Sequence, residues 1–333
     1  MARQLQATTE VNPLGFTEVN QSLSTVMAPF HGGGNVFLYL LKGDRIALVD
    51  TGVEHTPREV LQPALAEMGM ALSDIDLILN THAHLDHAGG NGEMKKLSKA
   101  SIYLHRDDLF MADSVQAQVE FMTAPLIALD FSEEAIKERA EHTICNTGQA
   151  VGADALLSEG DTVDLGKGIV LRVVHNPGHT PGSISYFWES EGILLAGDGV
   201  PGMGSRPGGY PLYFNANDYR RSLAKLSRMD FRMICLGHAY LGGTLVNNPI
   251  RRGADCGLFL KGAIQTADTI HRAAVDAVRR MPGAGKRDMA LAMVAELVYS
   301  IPQVLVRKTG MPGAAAAAFA SHIDAALTGS YPA

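Results

Sequence analysis

Asn80-Thr81-His82-Ala83-His84-Leu85-Asp86-His87-Ala88-Gly89-Gly90 places three histidines and one carboxylate within six residues, directly behind the apolar run Leu77-Ile78-Leu79. That run predicts a short buried strand. In an extended chain alternate side chains share a face, so the spacing sets His82, His84 and Asp86 on one side. Ala88-Gly89-Gly90 then allows a turn that brings His87 round to join them. Neutral imidazole is the commonest metal ligand, and a carboxylate beside it suits zinc, iron or manganese. A polar loop that happens to be His-rich is the bland alternative. Four ligating groups in alternating register behind one strand make it the weaker reading, and the stretch reads as a metal site.

Upstream, residues 35–41 and 45–49 read as the two strands of a hairpin turned at Lys42-Gly43-Asp44. The second strand ends in Asp50-Thr51-Gly52. An acid there is either a turn former or a carboxylate that orients a metal-bound histidine. Residues 57–68 predict a helix, with Pro57 at its start and Gly69 past its end. A helix over 92–97 and a strand over 101–104 follow the histidine motif. Gly32-Gly33-Gly34 is a loop, since no phosphate-binding signature follows it. His31, His55, His105, His142 and His175 stand alone and read as structural or surface residues.

Downstream the strand-then-ligand arrangement recurs. A strand over 169–174 leads into Asn176-Pro177-Gly178-His179-Thr180-Pro181-Gly182, a rigid turn presenting His179. A hairpin over 183–188 and 193–196 ends in Gly197-Asp198-Gly199, and a strand over 233–236 ends in Gly237-His238. Each is weak evidence singly; together they are a constellation. Between the two halves, residues 107–150 read as a helical insertion whose apolar side either packs in the core or lines a substrate entrance. Beyond residue 245 the pattern is helical, over 254–280, 286–299 and 314–327, with Met281-Pro282-Gly283 and Met311-Pro312-Gly313 as turns.

The chain has 333 residues, 46% apolar and 19% charged, as expected of a folded globular protein. A net charge of −7 provides no electrostatic footprint for nucleic acid, and Arg220, Arg221, Lys225 and Arg228 read as a solvated helix face. Cys145, Cys235 and Cys256 form neither a ligand pair nor a disulfide framework. No apolar run is long enough to span a bilayer, and the N-terminus lacks a secretory core, so the expected location is the cytoplasm.

The His82-x-His84-x-Asp86-His87 motif, the Pro-Gly-His179-Thr turn, the Gly-Asp198 and Gly-His238 strand ends and the Asp50-Thr51-Gly52 hairpin end resemble the metallo-β-lactamase-fold superfamily. The resemblance covers roughly residues 20 to 245. It implies an α/β (α+β) fold: an αββα sandwich over residues 1–250, with a C-terminal helical cap over 251–333. It also implies two divalent ions, zinc first, with iron or manganese as alternatives. His82, His84 and His179 would hold one, Asp86, His87 and His238 the other, and Asp198 would bridge them, with Asp50 behind. Retention of both His82 and His84 favours hydrolytic members.

Two divalent cations lower the pKa of a shared water toward roughly 7, the single-zinc value, so hydroxide is available at neutral pH. Asp86 can orient that nucleophile, so Asp86 and Asp198 are the catalytic expectations, and no Ser or Cys nucleophile is needed. Tyr210, Tyr213 and Phe214 lie between two ligand-bearing strands. They either contact substrate, a phenol serving a developing oxyanion, or pack in the core. An apolar, Met-rich cap suits an acyl or aromatic group better than a polyanion. The expectation is hydrolysis of a thioester or lactone, with a small-molecule substrate and no nucleic-acid or membrane partner. The C-terminal helices cap the site or form a homodimer interface. Alternatives are a phosphodiesterase or ribonuclease of the same fold, a weakly catalytic ligand sensor, and iron-dependent oxygen chemistry.

Overall fold

The computed structural model describes residues 15–205, 210–244, 248–300 and 313–332; Met311 and Pro312 of the second Met-Pro-Gly turn lie outside them. Two sheets form the centre. The first runs in chain order, β1 (Thr17–Asn20), β2 (Leu23–Phe30), β3 (Gly34–Lys42), β4 (Ile46–Val49), β5 (Leu77–Leu79), β6 (Ser101–His105) and β7 (Ala155–Leu157). It is antiparallel as far as β4 and parallel from β4 to β7. The second has the order β13-β12-β11-β10-β9-β8. Its strands are β8 (Thr162–Asp164), β9 (Val170–His175), β10 (Ile184–Trp188), β11 (Ile193–Gly197), β12 (Met233–Leu236) and β13 (Ile250–Arg252). Among the described residues only β11 and β12 pair in parallel there.

Alternation along β3 explains the layering. Phe37, Tyr39 and Leu41 face the second sheet and pack with Leu171, Val173, Tyr186 and Leu195, while Val36, Leu38 and Leu40 face outward. Outside the first sheet lie α1 (Gln62–Glu67), α2 (Leu85–Ala88) and α3 (Asn91–Leu97). A π-helical turn, Pro57–Leu61, leads into α1. The insertion supplies α4 (Leu109–Ala112), α5 (Val115–Ala128) and α6 (Glu133–Asn146). The outer face of the second sheet is covered by α7 (Ala216–Leu226), α8 (Ala254–Arg280), α9 (Lys286–Ser300) and α10 (Ala316–Thr328). Phe187, Leu194 and Leu236 of this sheet share one buried cluster with Phe259, Ile270, Met293 and Phe319 of the last three helices. The result is the αββα sandwich with C-terminal helices. Arg221 and Arg228 are exposed and Lys225 pairs with Glu159 at the surface, as a solvated face should, whereas Arg220 is largely buried against Asp268 of α8.

The sheets are also pinned polar group to polar group at one edge. The Tyr39 hydroxyl donates to the Leu236 carbonyl at 2.7 Å, and the Tyr186 hydroxyl donates to the Asn80 carbonyl at 2.9 Å. The Phe37 amide donates to the Gly237 carbonyl at 2.7 Å, and the Ile184 amide to the Thr81 carbonyl at 2.9 Å. All four bonds lie beside residues of the histidine motif or of the Gly237-His238 strand end.

Candidate metal centre

Every expected ligand comes from a connection following a strand: β4 leads to Asp50, β5 to the histidine motif, β9 to His179, β11 to Asp198 and β12 to His238. The histidine motif differs locally from its extended reading. Strand β5 ends at Leu79, and the chain turns at Leu85 into the helical turn α2, with His84 as its N-terminal cap residue. The turn, and not strand alternation, swings Asp86 and His87 toward the opposite half.

The donor atoms of His82, His84 and His179 lie within 4.8 Å of one another, as do those of Asp86, His87 and His238. Asp198 faces both clusters. Its Oδ2 is 3.5 Å from His179 Nε2 and 3.3 Å from His238 Nε2, and its Oδ1 is 3.5 Å from His87 Nε2. Asp86 Oδ2 lies 3.1 Å from His238 Nε2. The structure thus brings together all seven residues singled out in the sequence. The buried atoms His84 Nε2, His87 Nε2 and Asp198 Oδ1 have no hydrogen-bond partner among the described residues. Buried polar atoms normally find one, and three orphans aimed into one space fit divalent ions. An all-nitrogen-and-oxygen donor set accepts zinc, iron and manganese alike.

The far side of each imidazole fixes its tautomer. His87 Nδ1 donates to Asp50 Oδ2 at 2.8 Å, His179 Nδ1 to the Leu212 carbonyl at 2.7 Å, and His238 Nδ1 to the Asn35 carbonyl at 2.6 Å. Each ring therefore turns Nε2 inward. Asp50 is the orienting carboxylate, not merely a turn former. It sits in the left-handed region (φ 63°) and also accepts the Thr81 amide and hydroxyl, both at 2.8 Å. A non-glycine residue there costs of order 1 kcal/mol or more and persists where surrounding contacts hold it.

Burial, followed by the neighbouring imidazoles, pushes His82 and His84 well below the usual histidine range; burial also lowers His179. These rings are held neutral, the form in which an imidazole can take a metal. Burial opposes charge on His238 too, but Asp198 and Asp86 raise it to about 10, and Asp198, Asp50 and Asp86 raise His87 well above its ordinary value. Against the same cost of burial, His238 and His87 hold Asp198 well down, and His87 and His238 hold Asp86 low. Cations taking these ligands would displace the protons of His87 and His238.

The family model of the metallo-beta-lactamase superfamily matches residues 31–238, from the loop after β2 to His238. The chain belongs to this superfamily. Among its relatives is the probable metallo-hydrolase YqjP of Bacillus subtilis, 27% identical over 219 residues, 62% of this chain and 67% of that one. A hydroxyacylglutathione hydrolase of Rhodospirillum rubrum is 28% identical over 54% of this chain and 57% of its own length, so the match spans little more than half of that enzyme. A metallo-beta-lactamase family protein of Thermus thermophilus superposes with a TM-score of 0.65 at 23% identity, covering 94% of this chain and 95% of its own. At that identity the likeness shows a shared fold.

The aromatic expectations divide. Phe214 stands by the site, its ring centroid 5.6 Å from that of His84, and Phe121 of the insertion lies 5.9 Å from His84 and 4.3 Å from Phe214. Tyr213 is fully buried and its hydroxyl is bonded to His322 Nε2 of α10 at 2.7 Å, so it does not face the metal ligands. Tyr210 is buried edge-on to Phe319 of α10. The phenol that does stand by the centre is Tyr240, its ring centroid 5.5 Å from that of His238, a residue with no local signature in the sequence. Beside Phe121 and Phe214 a cavity of about 440 Å³ runs between α5 and α10, past Pro125, Ala317 and Ala320 to Asp324 at its rim.

Asp108 was also missed, because Arg106-Asp107-Asp108 looks like an exposed acidic run. Its buried carboxylate accepts the Ala83 amide at 3.0 Å, the Thr180 hydroxyl at 2.7 Å and the Gly182 amide at 2.6 Å. It thereby ties the loop of His82 and His84 to the turn of His179. A fourth group, His105, Asp107 and His175, lies outside the centre. The rings of His105 and His175 stack 4.1 Å apart, His105 Nδ1 accepts the Asp107 amide, and His175 Nε2 donates to the Pro181 carbonyl. These histidines clasp β6 to β9, in keeping with their structural reading.

Proposed function

We propose that this chain is a dinuclear metal-dependent hydrolase that cleaves an ester-type carbonyl bond, a thioester or lactone with an apolar acyl or aromatic portion. The observation that carries this reading is the convergence of seven histidine and aspartate side chains, with three orphaned donor atoms, beside the Phe121–Phe214 pair and its cavity. Superfamily membership supports hydrolysis, and the relatives named hydroxyacylglutathione hydrolase support an ester-type carbonyl. When bound, two divalent ions supply a nucleophilic water of lowered pKa and a Lewis acid for the carbonyl oxygen.

The protein's own groups do the rest. His179, His87 and His238 present Nε2 in fixed tautomers beside His82 and His84, and Asp198 faces both clusters. Asp86 projects from α2 beside His238, where it can accept a proton from the attacking water and hold it in line. Tyr240 packs edge-on against His238 and closes that side of the centre. Phe121 and Phe214 exclude water on the His84 side and offer ring faces to an apolar group.

The test is metal content by mass spectrometry on protein purified without added metal, followed by a panel of thioesters, lactones and bis(p-nitrophenyl) phosphate on the same sample. Two equivalents of metal with thioester or lactone turnover are expected. Turnover of the phosphodiester alone would move the assignment to the nuclease alternative. Less than one equivalent, unrestored by zinc, iron or manganese, would refute the working centre.

A further inference from the structure

Arg139 sits on the inward face of α6. Glu134, Lys137, Glu138 and Glu141 of that helix point to solvent, Lys137 pairing with Glu141. Arg139 is half-buried and shares its side of the helix with His142, Thr143 and Asn146 at the i+3, i+4 and i+7 positions, the last two buried. This face is anchored close to the second ligand cluster. His142 Nε2 donates to the His31 carbonyl at 2.9 Å, and Asn146 accepts the His31 amide at 3.1 Å. The ring of Phe30 stands edge-on both to His142, at 6.4 Å between centroids, and to His238 of the second cluster, at 6.3 Å.

The guanidinium makes no hydrogen bond or ion pair with any described residue, and the charge that acts on it is the carboxylate of Asp86. A half-buried arginine without a partner is unusual, because removing a cation from water costs free energy that a paired anion normally offsets. Its planar fork suits a carboxylate. The helix that carries it packs against α2, the turn that bears Asp86, whereas Phe121 and Phe214 flank His84. A molecule whose carbonyl lies between the two clusters therefore meets an apolar wall at one end and a cation at the other.

Resting on the hydrolase reading above, we propose that Arg139 is the anion receptor of this site. Its substrate is then an ester or thioester carrying a carboxylate on the side of the scissile carbonyl opposite its apolar portion. One guanidinium matches one carboxylate, not a polyphosphate.

Matched thioesters test this, with two arms that show which half carries the charge. The first compares hexanoyl thioesters of 3-mercaptopropionate and of propanethiol; the second compares glutaryl and valeryl thioesters of thiophenol. In one arm the carboxylate-bearing substrate is expected to have the higher kcat/KM by roughly 10- to 100-fold, the range for a charged hydrogen bond. Arg139→Gln should bring that ratio near one with metal content unchanged, through KM more than kcat, and Arg139→Lys should restore part of it. No preference in either arm, or a preference that survives Arg139→Gln, overturns the proposal. If no thioester is turned over, so that the hydrolase reading itself fails, calorimetry decides separately. Valerate should bind the protein as isolated more tightly than 1-pentanol, and Arg139→Gln should abolish the difference; equal binding overturns the proposal.

Discussion

Asp50→Asn isolates the contribution of one carboxylate to the metal centre. Asn is isosteric and among the non-glycine residues most at ease at positive φ, so the backbone at φ 63° is not disturbed. The Asn carbonyl can replace only one carboxylate oxygen. Oδ1 accepts the Thr81 amide, while Oδ2 accepts both the Thr81 hydroxyl and His87 Nδ1–H, each at 2.8 Å. If the amide nitrogen takes the Oδ2 position, two N–H groups face each other across 2.8 Å, unless His87 moves its proton to Nε2 and so removes the lone pair that points at Asp198 and Asp86. Loss of such a partner weakens metal binding by roughly 10- to 100-fold, or about 1.4–2.7 kcal/mol. The assay is competition against a chromophoric chelator, with both equivalents titrated. The loss should fall on the ion held by His87, with the three-histidine cluster spared. Wild-type affinity at both positions would refute the tautomer argument.

The other predictions follow from single contacts. A Cβ on Gly237 would lie 2.5 Å from both Asp198 Oδ1 and His87 Cε1, so Gly237→Ala should abolish binding of at least one equivalent of metal while circular dichroism shows the fold retained; two equivalents in the variant would contradict the geometry. Tyr213→Phe removes the bond to His322 from the residue after Leu212, whose carbonyl orients His179. It should lower stability by about 1–3 kcal/mol, measured by urea unfolding, and should weaken metal binding at the three-histidine cluster by up to roughly tenfold in chelator competition. Unchanged values in both assays would mean that α10 does not support the ligand loop. Burial and the adjacent His175 ring push His105 down to about 4. Its folded pKa lies below the unfolded value, so it contributes stability above about pH 6.5 that is lost as the pH falls toward 4. The His105→Asn variant, compared with wild type in metal-free buffer, should lose about 1–2 kcal/mol of that pH dependence after allowance for solvent screening around the stack. Parallel curves would exclude His105 as its source.

The C-terminal helices are structurally continuous with the site. His322 and Phe319 of α10 hold Tyr213 and Tyr210, the loop between them carries Leu212, and the Leu212 carbonyl holds His179. Their apolar faces complete the core outside the second sheet, so removal of α10 should be felt at the first ligand cluster as well as in stability.

Local chemistry alone determined much of this protein. Ligand types, their spacing behind apolar runs and the adjacent glycines are local features, and they named all seven clustered residues and Asp50. The long C-terminal helices were legible for the same reason: α8 was read over its full span, because a 3.6-residue apolar period repeated over many turns needs no distant partner. Tertiary structure decided what depends on residues far apart in sequence. It made the histidine motif a helical turn because His87 has to reach Asp50, 37 residues away. It took Tyr213 out of the site by placing His322, 109 residues on, against its hydroxyl. It brought Asp108 under two ligand loops, Tyr240 to Asp198 and the insertion's Phe121 to His84, none of which has a local signature. A ligand is recognisable from its own chemistry and its immediate neighbours. A side chain that orients a ligand is defined only by which strands and helices the packed sheets bring to the same edge.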